Sequence, residues 1–305
     1  MNLKRILALL LAAVMVFAFA ACSSGQKASD DTDAQAETQE DASAAADADA
    51  SGERKVLRVG MECAYAPYNW TQSTDENGAV PIQDSTDYAY GYDVMMAKHI
   101  ADELGWELEI YRTDWDSLPL GVQSGKLDCA IAGQSITSER LETVDFTEPY
   151  YYASIVALTR DDTPYADAKG VSDLKGAKAT SQINTVWYTV CLPQIEDCDI
   201  QPAMETAPAM LVALNSGKVD LVTTDMPTAQ AALIAYPNFR LLDFNENTED
   251  NFVVSEEEIN IGISVQKGND ELREAINSVL SEMTADDFNK MMDEAISVQP
   301  LSTEE

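Results

Sequence analysis

One histidine, His99, and five cysteines, none in a Cys-x-x-Cys spacing, are all this chain of 305 residues has of those two ligand types. That leaves a zinc site unsupported, and no metal or cofactor is expected. His99 falls on a helix face turned away from the apolar stripe, so a Ser-His-Asp or Cys-His arrangement lacks its base. Basic residues are scarce as well, with 19 Lys+Arg against 53 Asp+Glu and a formal net charge of -34. The first 55 residues hold only nine of those acids, against five bases, so the excess belongs to the remainder. Such a surface repels phosphate backbones, which excludes nucleic-acid binding as a function class. A phosphate loop is missing too, because Gly121-Val-Gln-Ser-Gly125-Lys126 is one residue short and no Ser or Thr follows the lysine.

What is present is a globular composition, 46% hydrophobic and 24% charged, at a length that suits two domains. Met1–Arg5 is basic, and Ile6–Ala21 is apolar but short for a spanning helix, as in the core of an export signal. Phe19-Ala20-Ala21-Cys22 resembles a bacterial lipobox, with Phe19 where Leu is usual. The reading is a signal peptide over 1–21 and an acylated Cys22, placing the protein outside the cytoplasm on the cell membrane's outer face. An uncleaved anchor helix is the alternative. Residues 23–55 contain no aromatic and no aliphatic larger than Ala. Their burial cannot offset ordering entropy, so 22–55 reads as an acidic, disordered tether.

Beyond the tether, apolar periodicity predicts strands alternating with helices, hence α/β layers with mostly parallel sheets. Val56–Cys63 reads as a strand and Asp93–Leu104 as an amphipathic helix, with Asp93 as N-cap and Gly105 as its stop. Strands follow at Trp106–Arg112 and Leu127–Ala132, around a short helix at Ser117–Ser124. After Ser154–Thr159 the pattern restarts with strands at Ala177–Ser181, Val219–Thr224 and Phe239–Asp243. Helices are expected near Thr185–Cys191, at Pro208–Asn215 and at Pro227–Ala235. Ile259–Val265 reads as one further strand, before two closing helices at about 270–283 and 285–296. Cys63 and Cys129 read as buried small hydrophobes. Cys191 and Cys198 flank six residues, and a disulfide there would be worth roughly 2.5 kcal/mol; bridged and free states both stay open.

Ser124-Gly125-Lys126-Leu127-Asp128 recurs as Ser216-Gly217-Lys218-Val219-Asp220, each between a helix and an apolar strand. Five residues past each Asp the strand ends, at Gly133 and at Asp225. Ligands bind beyond the carboxyl ends of parallel strands, so two such units facing each other place Gly133–Arg140 and Asp225 on opposite walls of one cleft. The plainer reading is that the pentapeptide is a good helix stop and strand start.

Gly91-Tyr92-Asp93-Val94, Trp115-Asp116-Ser117-Leu118, the first pentapeptide, Ala132-Gly-Gln-Ser-Ile-Thr-Ser-Glu-Arg140 and Val144-Asp-Phe-Thr-Glu-Pro-Tyr-Tyr151 occur in that order. Together they resemble the polar amino-acid-binding family (family 3) of extracytoplasmic solute-binding proteins serving ABC importers. The resemblance covers about 56–300. It implies a two-lobe periplasmic-binding-protein fold (type II) with two hinge crossovers, near Ser154–Arg160 and Glu258–Lys267. Lobe 1 is then 56–155 and 260–305, and lobe 2 is 156–259. It also implies a monomer that captures a free amino acid and hands it to a permease, without catalysis.

Residue by residue, the resemblance makes Arg140 the clamp for the ligand carboxylate, a role a planar guanidinium suits. A local ion pair with Glu139 or Asp145 is the competing reading. Gly133 and Ser135 match ligand-contacting positions, Tyr65 and Trp115 the sandwich around the ligand side chain. Asp225 matches the acid for the α-ammonium, or else it is only a helix cap. Asn184-Thr185-Val186 stands where the family has Gly-Thr-Thr, leaving the backbone of Thr185 and Val186 as carboxylate donors. Glu62 is acidic at a position that contacts cationic ligand side chains, which favours arginine or lysine, unless it is a solvated strand end. Gln134 and Gln182 suit glutamine instead. A dehydratase of cyclohexadienyl type on the same fold and a tethered sensor are the rival functions. An insertion over Thr71–Ala89 has no role legible in the sequence.

Overall fold

The computed structural model describes residues 55–247 and 249–300. The signal, Cys22 and the tether lie outside the described residues. Two five-stranded sheets carry the fold. The first contains β1 (Val56–Met61), β2 (Glu107–Arg112), β3 (Cys129–Ala130), β4 (Val144–Phe146) and β10 (Ser264–Gln266). The second contains β5 (Ile155–Arg160), β6 (Lys178–Thr180), β7 (Asp199–Ile200), β8 (Leu221–Asp225) and β9 (Phe239–Leu242). Strand order is β2-β1-β3-β10-β4 in one and β7-β6-β8-β5-β9 in the other.

The two orders follow one plan. In each sheet a single strand runs antiparallel to its neighbours, β10 in the first and β5 in the second. These are the two strands that cross between lobes, so each lobe's sheet is closed by a strand entering from the other side. Just before the crossing, Tyr151 and Tyr152 pair antiparallel with Ile261 and Asn260, which sets the two hinge segments side by side. The expected single strand Ile259–Val265 is broken there into Asn260–Ile261 and β10. Gly262 lies at the break with the Ile136 side chain pressed against it, 2.8 Å from where a Cβ would stand.

Helices cover the sheets: α1 (Tyr92–Leu104), α2 (Leu118–Gln123), α3 (Ser138–Leu141), α4 (Ala207–Asn215), α5 (Met226–Ala235), α6 (Asp270–Leu280) and α7 (Ala285–Val298). The buried stripe of α1, including Val94, Ala97, Ile100 and Ala101, is the one its periodicity predicted, and Gly105 ends it at φ 67°. Asp93 is not the cap. Gly91 holds that position, and Asp93, two residues on within the first turn, is fully buried. The first N–H groups of α1 are met instead by the carbonyls of Pro67 and Tyr68, at 3.1 and 2.8 Å. That docking brings Tyr68 O within 2.4 Å of where a Gly91 Cβ would sit, at φ 126°. Gly91→Ala should therefore cost about 3 kcal/mol, from overpacking on top of a backbone region only glycine visits. A urea-denaturation midpoint shifted down in proportion is the check.

The Thr71–Ala89 insertion forms most of a small antiparallel sheet, with strands Asn69–Gln72, Val80–Pro81 and Tyr88–Tyr90 beside Ala64–Tyr65. This sheet braces the segment that carries Tyr65. Cys63 and Cys129 are buried free thiols, as expected. The Cys191–Cys198 bridge is not formed. Cys191 is buried in the lobe core, whereas the Cys198 thiol donates to the Ala177 carbonyl at 3.3 Å. Among the described residues no helix is long and apolar enough to cross a membrane.

Candidate functional site

The repeated pentapeptide sets up the site. Gly125 and Gly217 both adopt φ 71°, ending α2 and α4 in the same left-handed turn and feeding β3 and β8. Beyond β3 the chain turns at Gly133 (φ 60°), and β8 terminates in Asp225. Tyr65 joins the two ends. Its ring lies 2.7 Å from where a Gly133 Cβ would be, and its hydroxyl donates to Asp225 Oδ2 at 2.6 Å. A side chain at Gly133 would displace that ring.

A narrow, nearly closed cavity lies between the lobes, lined by Glu62, Tyr65, Trp115, Gly133, Ser135, Arg140, Gln182, Thr185, Val186 and Trp187. Nine of these ten are residues singled out from the sequence. Trp187 was missed, although its place directly after Thr185-Val186 was a usable signal. Asp225 is brought close but does not line the cavity, because it sits behind Tyr65. Gln134 is turned away, accepting from Ser264 Oγ at 2.8 Å, which removes half of the amide-ligand argument.

Arg140 lies within the short helix α3, whose N-cap Thr137 accepts from the Arg140 N–H. Its Nη1 donates to Ser135 O at 2.8 Å and its Nη2 to Asn184 O across the cleft at 2.9 Å. The guanidinium also stacks over Trp115, 5.2 Å from the ring centre. It makes no ion pair among the described residues; Asp145 is committed to Lys267 at 2.7 Å. A five-donor fork with two donors used retains hydrogen-bonding capacity for an anion. Desolvation draws its pKa down to about 10, so it stays cationic at neutral pH and carries an uncompensated charge in a partly buried site.

Glu62 supplies the opposite sign. It is 7% exposed, so it is not a solvated strand end. Its Oε1 accepts from Gln182 Nε2 at 3.1 Å, whereas Oε2 is buried with no partner. Burial, reinforced by the nearby carboxylates of Asp93, Asp114 and Asp116, pushes its pKa up to about 7.

Asp225 is a helix cap, and its other oxygen goes to a tyrosine of the opposite lobe. Oδ1 caps α5 by accepting the Thr228 N–H at 2.8 Å, and Oδ2 takes Tyr65. Desolvation raises its pKa, opposed by those hydrogen bonds. Asp93 lies behind the floor, accepting from Tyr150 OH at 2.6 Å and Asn69 Nδ2 at 2.7 Å, while Gly133 N–H donates to the same Tyr150 hydroxyl at 3.1 Å. The Gly133 amide is thus engaged in holding the floor. Thr185 Oγ1 is likewise engaged, donating to Gln182 O at 2.7 Å. Asn184 bridges the lobes twice, through its carbonyl to Arg140 and its amide to Asp116 Oδ1 at 2.8 Å. With Glu62–Gln182, Tyr65–Asp225 and a longer bond from Thr228 Oγ1 to the Tyr65 hydroxyl at 3.4 Å, five direct hydrogen bonds hold the lobes together around the cavity among the described residues.

A family model for bacterial extracellular solute-binding proteins, family 3, matches residues 57–296. The L-cystine-binding protein TcyJ of Escherichia coli (strain K12) is 26% identical over 237 residues, covering 77% of this chain and 79% of the relative. The structure of AbpA, an amino acid ABC transporter substrate-binding protein from Streptococcus pneumoniae bound to L-arginine, has TM-score 0.67 at 25% identity, over 82% of this chain and 97% of that one. The ancestral amino acid-binding protein AncCDT-1, a precursor of cyclohexadienyl dehydratase, has TM-score 0.63 at 27% identity, over 79% of this chain and 95% of that one. With two crossover-linked α/β lobes, a polar cavity between them and a family match over most of its length, this chain belongs to the bacterial extracellular solute-binding proteins, family 3.

Proposed function

We propose that the protein captures a free L-amino acid with a cationic side chain, arginine or lysine, and delivers it to an ABC permease. One observation carries the choice of ligand: the same small cavity holds a guanidinium without an ion pair and a buried carboxylate oxygen without any partner. An arginine or lysine zwitterion answers both, its carboxylate on Arg140 and its side-chain cation on Glu62. The α-ammonium lies at the Tyr65–Asp225 end, where the Asp225 carboxyl group stands just behind the wall. Tyr65, Trp115 and Trp187 flank the aliphatic stem, and the backbone of Ser135, Thr185 and Val186 supplies the remaining polar contacts. A neutral amide brings no cation to the unpartnered Glu62 Oε2.

Mechanistically, a ligand touching both lobes favours the closed form by its differential affinity for it. Water expulsion strengthens each charged contact. Closure presents one joint surface of lobe 1 (56–155 and 260–305) and lobe 2 (156–259) for the permease to read. In this reading, acylation at Cys22 anchors the protein to the outer face of the cell membrane. The arginine-bound neighbour supports this reading; the cystine-binding relative is the reason to test a panel.

The test is calorimetric titration of the protein, stripped of carried-over ligand by unfolding and refolding, against arginine, lysine, histidine, glutamine and cystine. Stoichiometric micromolar or tighter binding of arginine or lysine, unchanged on recovery, is expected. Preference for glutamine or cystine would overturn the ligand assignment. Silence across the panel, with turnover of cyclohexadienyl acids, would overturn capture altogether in favour of the enzymatic reading.

A further inference from the structure

Glu62 faces acidic neighbours from within its own lobe and a neutral amide from the other. Asp93 belongs to α1, Asp114 and Asp116 to the segment that carries Trp115, and Gln182 to the second lobe. Arg140 is the one cation among the ten cavity-lining residues, and its Nη1 and Nη2 are directed at Ser135 O and Asn184 O. Among the described residues, no positive charge lies against Glu62 Oε2, which is buried and unpartnered.

We propose that Glu62 is held as the neutral acid before capture and gives up its proton to solvent when the cationic side chain arrives, so that ligand affinity is tied to pH. The inference rests on the ligand reading above and deepens it. The balance is one carboxylic acid plus one cationic ligand going to a carboxylate–cation pair plus one proton released. A neutral carboxyl is the form that three nearby carboxylates and a closed cavity favour; a cation within hydrogen-bond reach reverses that preference. With the free-site pKa at about 7, the linkage has a definite sign. Below it, binding must displace a proton and weakens up to tenfold per pH unit; above it, the carboxylate is preformed and affinity is flat. Two other buried acids lie nearby. Asp93 already accepts from Tyr150 and Asn69 and does not line the cavity. Asp225, behind Tyr65, has one oxygen on the Thr228 N–H and the other on the Tyr65 hydroxyl, so neither acid presents an unpartnered oxygen to the ligand.

The test is titration of the full chain with arginine at about pH 6 and about pH 8, each in two buffers of different ionisation enthalpy. The expected result is release of close to one proton at the lower pH and close to none at the higher, with affinity about tenfold weaker at the lower. Glu62→Gln should still bind arginine, more weakly, with no proton release and no pH dependence. Arginine binding with equal affinity and no proton release at both pH values would overturn the inference and leave the ligand reading intact. Proton release persisting in Glu62→Gln would reassign it to another group and also overturn it. Failure of arginine to bind at either pH would remove the ligand reading and this inference with it.

Discussion

Arg140→Ala is expected to abolish measurable amino-acid capture while leaving the fold intact. Truncating one partner of a buried charged hydrogen-bonded pair costs roughly 2–5 kcal/mol, a loss of about thirty- to several-thousand-fold in affinity. The upper end applies here, because the variant also removes the Arg140–Asn184 O bond that helps hold the cleft closed. Stability should change little. The guanidinium has no ion pair among the described residues, and its charge is penalised by desolvation. Arg140→Lys refines the test. It keeps the charge but replaces the planar fork with a point charge, so capture should recover only partly. Calorimetric titration with the cognate amino acid, run beside a thermal melt, checks both halves. A variant that binds normally would show that Arg140 serves only as a lobe bridge.

Asp225 has two roles that substitution can separate. Asp225→Ala removes the cap of α5, worth roughly 1 kcal/mol. It also strands the Tyr65 hydroxyl in a buried site, at about 1–3 kcal/mol more. A clear drop in melting temperature should accompany loss of binding. Asp225→Asn keeps a side-chain oxygen for the Thr228 N–H, since Asn caps about as well as Asp, and offers its amide to the tyrosine hydroxyl. Its stability should stay near that of the native protein. Binding should nonetheless fall by about 2 kcal/mol or more, because the negative charge that attracts the α-ammonium is gone. If Asp225→Asn binds normally, Asp225 is a cap and a support for Tyr65, and the ammonium is held by other groups.

Much of this was legible before any coordinates. The Ser-Gly-Lys-x-Asp echo became two turns of equal φ, each delivering a strand to the cleft. Nine residues named from motif and position line one cavity. The misreadings have a common origin. Asp93 looked like a cap because it opens a helical stripe, and only the packing of Tyr150 and Asn69 makes it a buried acceptor. Gln134 neighbours Gly133 in sequence but points to Ser264, which arrives from 130 residues away. Cys191 and Cys198 are close along the chain, yet one is buried in the core and the other bonds a carbonyl.

By itself, then, the sequence determined the alternation of strands and helices, the internal repeat, the scarcity of bases and the residue types available to the site. All of these follow from local periodicity and composition, which a linear reading can measure. The tertiary structure alone decided which polar atoms are already satisfied and which are left over. Tyr65 takes one oxygen of Asp225, Tyr150 takes the Gly133 amide, and Gln182 takes one oxygen of Glu62 but not the other. That bookkeeping depends on partners brought together from distant parts of the chain. It is also what specifies a ligand, because a buried charge left without a partner is stabilised by a molecule that supplies the opposite one.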